Sequence, residues 1–287
     1  MLIIKVQWWL WNQMFQYAFA KALSLKKNVD FALNVFDYKT YFRPLELEVF
    51  MIEKNYATLQ EIPFYERLNS KNRYISFVFF KIKEFCKRRN KYHFFEKTVG
   101  FDIDLLSINS WYIEWYFQTE KYFIEYQNEI RKSFQFKYHP SKQNQHIIDI
   151  MTKHNSVSIH IRRWDYLLGN NLSYHWICGL DYYKDAISFI RSHVESPIFF
   201  FFSDDMDWVK ETFKNIENSY YVDRNTWKSS YEDMRLMSLC KHNIVANSSF
   251  SWWWAWLNIN KDKIVIAPKK WFNQENMNII PKQRIKI

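Results

Sequence analysis

The stretch 160-HIRRWDY-166 brings an imidazole, two guanidinium groups and a carboxylate together at one place in the chain. These are His160, Arg162, Arg163 and Asp165. The run 156-SVSIHI-161 predicts a strand, so the arginines stand at a strand end. Two adjacent arginines there can neutralise a diphosphate through fork-shaped, charge-assisted hydrogen bonds. An aspartate beside them can take a proton or orient an arginine. A surface salt-bridge cluster is the competing reading, but strand ends in α/β sheets are where ligands bind. Asp204 and Asp205 close another apolar run, 197-PIFFFF-202 followed by 203-SDD-205. They can hold a ribose or guanine, or cap a helix predicted over 205–214. In 247-NSSFSWWWAW-256, Asn247, Ser248 and Ser249 lie where a strand turns into a helix. A serine there can serve as the N-cap, and the helix N-terminus can receive a phosphate through its backbone N–H groups. The pairs 102-DID-104 and 205-DMD-207 have the spacing of carboxylates that hold a divalent ion on a nucleotide diphosphate. That spacing is common by chance, and the arginine pair offers a metal-free way to hold the same charge.

The elements that must position these residues alternate in type. Residues 2-LIIKV-6 predict a buried strand, 13–27 a helix with Phe15, Phe19 and Leu23 at four-residue steps, and 29-VDFAL-33 a second strand. Such a unit starts a parallel sheet. Residues 55–135 read as mostly helical and aromatic. They include 81-KIKEFCKRRNK-91, which is either a solvated helix face or a surface for anionic lipid. The polar stretch 137-KYHPSKQNQ-145 reads as a linker between domains at 1–140 and 146–287. Beyond it, helices over 181–194 and 231–241 alternate with strands at 197–202, 243–247 and 263–268. The fold class expected is α/β.

The chain has 287 residues, enough for two domains, and a net charge of +10, which favours acidic partners such as nucleotide phosphates or an anionic membrane. Single-stranded nucleic-acid binding would also use basic and aromatic residues, but no RNA-binding signature is present, so no nucleic-acid partner is expected. Cys86, Cys178 and Cys240 are odd in number and widely spaced, which fits a reducing cytoplasm better than a disulfide framework. The first residues lack the layout of a signal peptide, and no uncharged apolar run reaches 18 residues. A cytoplasmic protein is expected, with peripheral contact at the inner membrane face through the basic patch.

Several stretches together resemble the bacterial α-1,2-fucosyltransferases of glycosyltransferase family eleven. They are 12-NQMFQYAFAKAL-23, 116-YFQTEKYF-123, 160-HIRR-163 with Asp165 and Tyr166, and 179-GLDYYKDAI-187. They continue with 202-FSDD-205, 234-MRLMSLCKHNIVANSSFSWW-253 and 265-VIAPKKWF-272. The match runs nearly end to end and in order. The resemblance implies a GT-B-like architecture, two Rossmann-like domains facing a cleft. It implies an acceptor-side N-terminal domain and a C-terminal domain that binds GDP-fucose. Fucose would pass with inversion to the 2-hydroxyl of a terminal galactose, as in O-antigen biosynthesis, with no metal or other cofactor. Carried over residue by residue, His160, Arg162 and Arg163 would bind the diphosphate and ribose side. Asp204 and Asp205 would lie near the nucleotide, and Asn247, Ser248 and Ser249 would complete the phosphate pocket. Asn12 and Gln13 would face the cleft from the N-terminal domain. Arg162 and Asp165 are the catalytic candidates, with Asp165 a candidate for the base.

The chain departs from that pattern in one consistent way. It has 3 glycines and 14 tryptophans, whereas a chain of this length holds about 20 glycines. Where the family has G-G-L-G-N-Q, this chain has 8-WWLWNQ-13; R-R-G-D becomes 162-RRWD-165; and S-W-W followed by Gly or Ala becomes 251-SWWWA-255. Trp111, Trp115, Trp176 and Trp227 also stand where glycine is expected, whereas Trp208, Trp252, Trp253, Trp256 and Trp271 belong to the pattern. The simplest account is a transferase in which most glycines have been replaced by tryptophan, with poor folding or inactivity as the expected result. A non-catalytic glycan-binding protein, stacking sugars on exposed indoles, is the alternative function.

Overall fold

The computed structural model describes residues 1–39, 44–68, 73–95, 100–107, 111–163, 178–225, 229–272 and 279–287. The chain forms two compact units, Met1–Lys137 and Tyr138–Ile287. Each is built on a parallel sheet, so the fold is α/β.

In the first unit the strands are β1 (Leu2–Lys5), β2 (Phe31–Asn34), β3 (His93–Phe95) and β4 (Tyr112–Glu114). They pair in parallel in the order β2-β1-β4-β3. Helix α1 (Leu10–Lys27) joins β1 to β2. It ends at Asn28, at φ 50, whose N–H reaches the Leu25 and Ser24 carbonyls. Asparagine tolerates that left-handed conformation, and Lys26 and Lys27 complement the helix dipole. The start of α1 is less well made. Trp9 is its N-cap and offers no side-chain acceptor, where Ser, Asp or even Gly is preferred. Helices α2 (Arg73–Arg89) and α3 (Gln127–Ser133) follow. The expectation that 55–135 is mostly helical is corrected, because β3 and β4 both come from it. Strands of three residues, HFF and YIE, are too short to show a period.

The second unit opens with α4 (Lys142–Lys153), which takes up much of the stretch read as a linker. The Ser141 hydroxyl caps it by accepting from the Asn144 N–H at 3.2 Å. Six parallel strands follow: β5 (Asn155–Ile161), β6 (Pro197–Ser203), β7 (Ser219–Tyr221), β8 (His242–Ile244), β9 (Val265–Ala267) and β10 (Ile285–Lys286). Helices α5 (Leu180–His193), α6 (Met206–Thr212), α7 (Ser230–Leu239) and α8 (Ser249–Leu257) lie between them in sequence. The sheet order is β10-β9-β8-β5-β6-β7. Taking β5 as the first strand, this is the 3-2-1-4-5-6 order of dinucleotide-binding sheets. Both faces of β5 are buried. Val157, Ile159 and Ile161 join one apolar core with Phe199, Phe201, Ile244 and Ile266, while Ser156, Ser158 and His160 turn to the other face. A sheet covered on both faces explains why 199-FFFF-202 shows no alternation.

Candidate active site

The sheet of the second unit decides which residues meet. β5 and β6 pair in register from Asn155 opposite Pro197 to Ile161 opposite Ser203. The next residues on each strand are Arg162 and Asp204, so the register sets a guanidinium beside a carboxylate. The Asp204 carboxylate accepts from the backbone N–H of Arg163 at 2.9 Å through Oδ1, and its Oδ2 lies 3.3 Å from Arg162 Nε. Asp205 accepts from Arg163 Nε at 3.0 Å. The Arg163 guanidinium also lies over the Trp208 ring, 4.4 Å from its centroid. The two aspartates therefore fix both arginines. All four side chains are partly exposed, between 18% and 34%, so the cluster is held in place yet open to a ligand.

On the other side of β5 runs β8, with Ile159 opposite Ile244. The chain proceeds from β5 through β6 and β7 on one side, then returns to β8 on the other. The sheet order thus reverses between β5 and β8, and ligands of open α/β sheets bind outside the carboxyl ends at such a point. Arg162 and Arg163 leave β5 there. Asn247 and Ser248 leave β8 there and lead into α8. Ser248 is the N-cap, its hydroxyl accepting from the Phe250 N–H at 3.3 Å. The N–H groups of the first turn of α8 can bind an anion. Asn247 is 1% exposed; its Nδ2 donates to the Trp271 carbonyl at 3.0 Å, and its Oδ1 lies 3.4 Å from Cys178 Sγ. It braces the turn from inside.

His160 is placed differently from its arginine neighbours. Its ring is buried, with Nδ1 2.6 Å from Ser251 Oγ and Phe250 packed at 5.4 Å between centroids. Burial first, and the charge of Arg162 second, bring its pKa down to about 3. A neutral imidazole bonded to the first turn of α8 fixes that helix end relative to β5.

In the first unit Asn12 is 7% exposed and accepts from Gln118 Nε2 at 2.9 Å. Gln13 is fully buried. Its Nε2 donates to the Trp8 carbonyl at 2.9 Å, and its Oε1 accepts from the Glu46 and Leu47 N–H groups at 3.0 and 3.2 Å. The Gln13 side chain is thus bonded to the loops around α1. Of the two-carboxylate pairs, Asp102 caps a turn by accepting from the Asp104 N–H at 3.0 Å, and Asp205 is engaged by Arg163. Asp165, Trp164, Trp176 and Trp227 lie outside the described residues.

A second polar cluster, at the carboxyl ends of β1 and β4, escaped sequence reasoning. Lys5 Nζ lies 2.6 Å from Glu66 and 3.1 Å from Asp37, and Lys87 lies 2.8 Å from Glu114 and 3.5 Å from Glu66. His93 Nε2 is 3.3 Å from Glu114. Glu66, His93 and Glu114 could form a metal triad by geometry. Here two ammonium groups already balance the carboxylates, and the cluster reads as a buried ion network. Burial alone would raise the Glu114 pKa; His93, Lys5 and Lys87 outweigh it and hold the carboxyl down at about 2. The only sequence signal was Lys5 at the end of an apolar strand.

The glycosyl transferase family 11 model matches residues 1–286. The chain belongs to that family. It is therefore a sugar-nucleotide-dependent glycosyltransferase. It is similar to an α-1,2-colitosyltransferase of Escherichia coli, with 32% identity across 94% of this chain and 91% of that one. It is also similar to the O-antigen biosynthesis glycosyltransferase WbnK of Escherichia coli, 46% identical over 42% of this chain and 41% of the other. Galactoside α-(1,2)-fucosyltransferase 1 of Aotus azarae matches 35% of this chain and 28% of its own length at 30% identity. Among solved structures, a point mutant of Arabidopsis thaliana FUT1 in complex with GDP superposes with a TM-score of 0.50 at 11% identity, covering 94% of this chain and 71% of that one. This last likeness speaks to the fold alone and agrees with the α/β, GT-B-like class.

Proposed function

We propose that this family 11 enzyme transfers fucose from GDP-fucose to the 2-hydroxyl of a terminal galactose on a glycan, with inversion and without a metal. The observation that carries this reading is the arginine pair at the point where the sheet order reverses. In the reaction the acceptor oxygen attacks the anomeric carbon as the bond from that carbon to the β-phosphate oxygen breaks. The acceptor hydroxyl loses its proton to a base, for which Asp165 is the candidate. Negative charge grows on the departing GDP. Arg162, Arg163 and the N–H groups at the start of α8, after Ser248 and with Ser249, stabilise that charge in the transition state. Asp204 and Asp205 hold the arginines and lie near the nucleotide. His160 positions α8 through Ser251. The second unit is the donor side and the first, with Asn12, the acceptor side.

The α-1,2 linkage and the deoxy-sugar donor are supported by the named activities of the relatives. These activities differ in donor sugar. Colitose is fucose without its 3-hydroxyl, so the direct test offers GDP-fucose and GDP-colitose in turn, with a β-galactoside, to the chain with Trp8, Trp9, Trp11 and Trp164 returned to glycine. The expected product is an α-1,2-fucosylated galactoside, formed equally in excess chelator. Transfer of colitose alone would replace the donor. Activity lost to chelator and restored by manganese would move the enzyme to metal-dependent chemistry.

One observation favours the non-catalytic reading. Trp8 is 41% exposed and stacks on Tyr116 with centroids 6.4 Å apart, a platform on which a sugar ring could rest. That reading expects glycan affinity without affinity for GDP.

A further inference from the structure

Helix α2 is built inside out. Lys87, on its inward side, is 7% exposed and reaches Glu114 and Glu66. Its outward residues are Phe77, Val78, Ile82 and Phe85, exposed at 62%, 53%, 37% and 56%. A soluble helix buries its apolar stripe and exposes its charges. This one carries Phe77 and Phe85 outward and a lysine inward. Large apolar side chains grouped on one exposed face mark an interaction surface, in contrast to scattered single ones.

The same outward face carries Lys81, Arg88 and Arg89, all exposed, and the turn after the helix adds Lys91 and Tyr92. Lys81 lies 5.4 Å from the Phe77 ring centroid, Arg89 4.1 Å from that of Phe85 and Lys91 4.8 Å from that of Tyr92. Aromatic rings and cations therefore alternate across one surface. Glu84 is the acidic residue of the helix, and its carboxylate lies 4.0 Å from Lys87.

We infer that the outward face of α2, with Lys91 and Tyr92, docks the enzyme on an anionic phospholipid surface. The phenylalanines enter the boundary between headgroups and acyl chains, and the lysines and arginines meet lipid phosphates at the same level. Charge argues for lipid over a second copy of the chain. A two-fold dimer would set this basic face against itself, whereas an anionic membrane complements it and the net charge of +10. Among the described residues no helix is long and apolar enough to cross a membrane, so α2 lies on the surface. This inference does not depend on the donor sugar.

The test is sedimentation of the full chain with vesicles of phosphatidylcholine, with and without phosphatidylglycerol. The chain should pellet with the anionic vesicles at least about tenfold more strongly, and added salt should weaken binding. The double change Phe77→Glu and Phe85→Glu should abolish pelleting while the thermal melt stays in place, because these side chains face outward. Lys81→Ser, Arg88→Ser, Arg89→Ser and Lys91→Ser together should remove the preference for anionic lipid. Equal pelleting with both vesicle types, or undiminished binding by the phenylalanine variant, overturns the inference. So does a concentration-dependent dimer that the phenylalanine variant loses while neither form binds vesicles.

Discussion

Trp8 adopts φ 73, a conformation that costs a bulky side chain on the order of 1–3 kcal/mol and glycine almost nothing. Its carbonyl is held there by Gln13 Nε2 and by the Tyr38 hydroxyl at 2.8 Å, so the turn cannot relax without losing both bonds. We therefore expect Trp8→Gly to raise the unfolding free energy by roughly 1–3 kcal/mol, measured by denaturant melts. The buried indoles give a second comparison. Trp252, native to the family pattern, donates from Nε1 to the Ile279 carbonyl at 2.7 Å. Trp254, where the pattern has Gly or Ala, is fully buried and its Nε1 has no acceptor among the described residues; the buried Nε1 of the partly buried Trp115 has none among them either. A buried, unpaired N–H costs about 1–3 kcal/mol. Trp254→Phe keeps most of the ring and removes that group, so it should stabilise, while Trp252→Phe should destabilise by about 1 kcal/mol. Equal effects of the two changes would remove the distinction between them. These costs are the physical content of the proposal that tryptophan has displaced glycine in this chain.

At the scale of the elements, two buried groups tie strands and helices to pH. His160, joining β5 to α8, ionises at about 3 in the folded protein against 6.5 ordinarily. Glu114, at the end of β4, ionises at about 2 against 4.5. Both pKa values are depressed, so the unfolded chain binds more protons, and stability falls as pH drops. Asp233 acts oppositely, because burial raises its carboxyl from 3.8 to about 7 despite a hydrogen bond from Asn225; its stabilising effect builds as pH falls through 7, is complete below 3.8, and adds no further change there. Between about pH 3.8 and 3 the first two act unopposed, at roughly 2–3 kcal/mol per pH unit. Melts across that range should show a steep loss of stability; a flat melting temperature would contradict both assignments.

Most long elements were legible. β5 was readable from its alternation of polar and apolar residues, β6 from an unbroken apolar run, and α5 and α7 from their helical spacing. What stayed hidden has physical reasons. β3, β4, β7 and β10 have two or three residues each and owe their existence to pairing partners distant in sequence. The arginines and aspartates were visible as types at strand ends, but their mutual bonds follow from the β5–β6 register, which no local signal encodes. The buried states of His160 and Gln13 were also hidden. Each reads as a ligand residue in sequence, and no local signal shows the backbone or hydroxyl partners it meets in the fold.

For the whole molecule, the family places a sugar nucleotide at the centre of the account, and the second unit supplies the sheet that receives one. Arg162 is the residue on which that claim rests. The most direct measurement is calorimetric titration of GDP into the chain with Trp8, Trp9, Trp11 and Trp164 returned to glycine, once a cooperative melt shows it folded, and into its Arg162→Ala derivative. A charge-assisted hydrogen bond contributes about 1.5–3 kcal/mol, so GDP affinity should fall by roughly one to two orders of magnitude. An unchanged dissociation constant would show that the diphosphate is not held at the β5–β8 switch point.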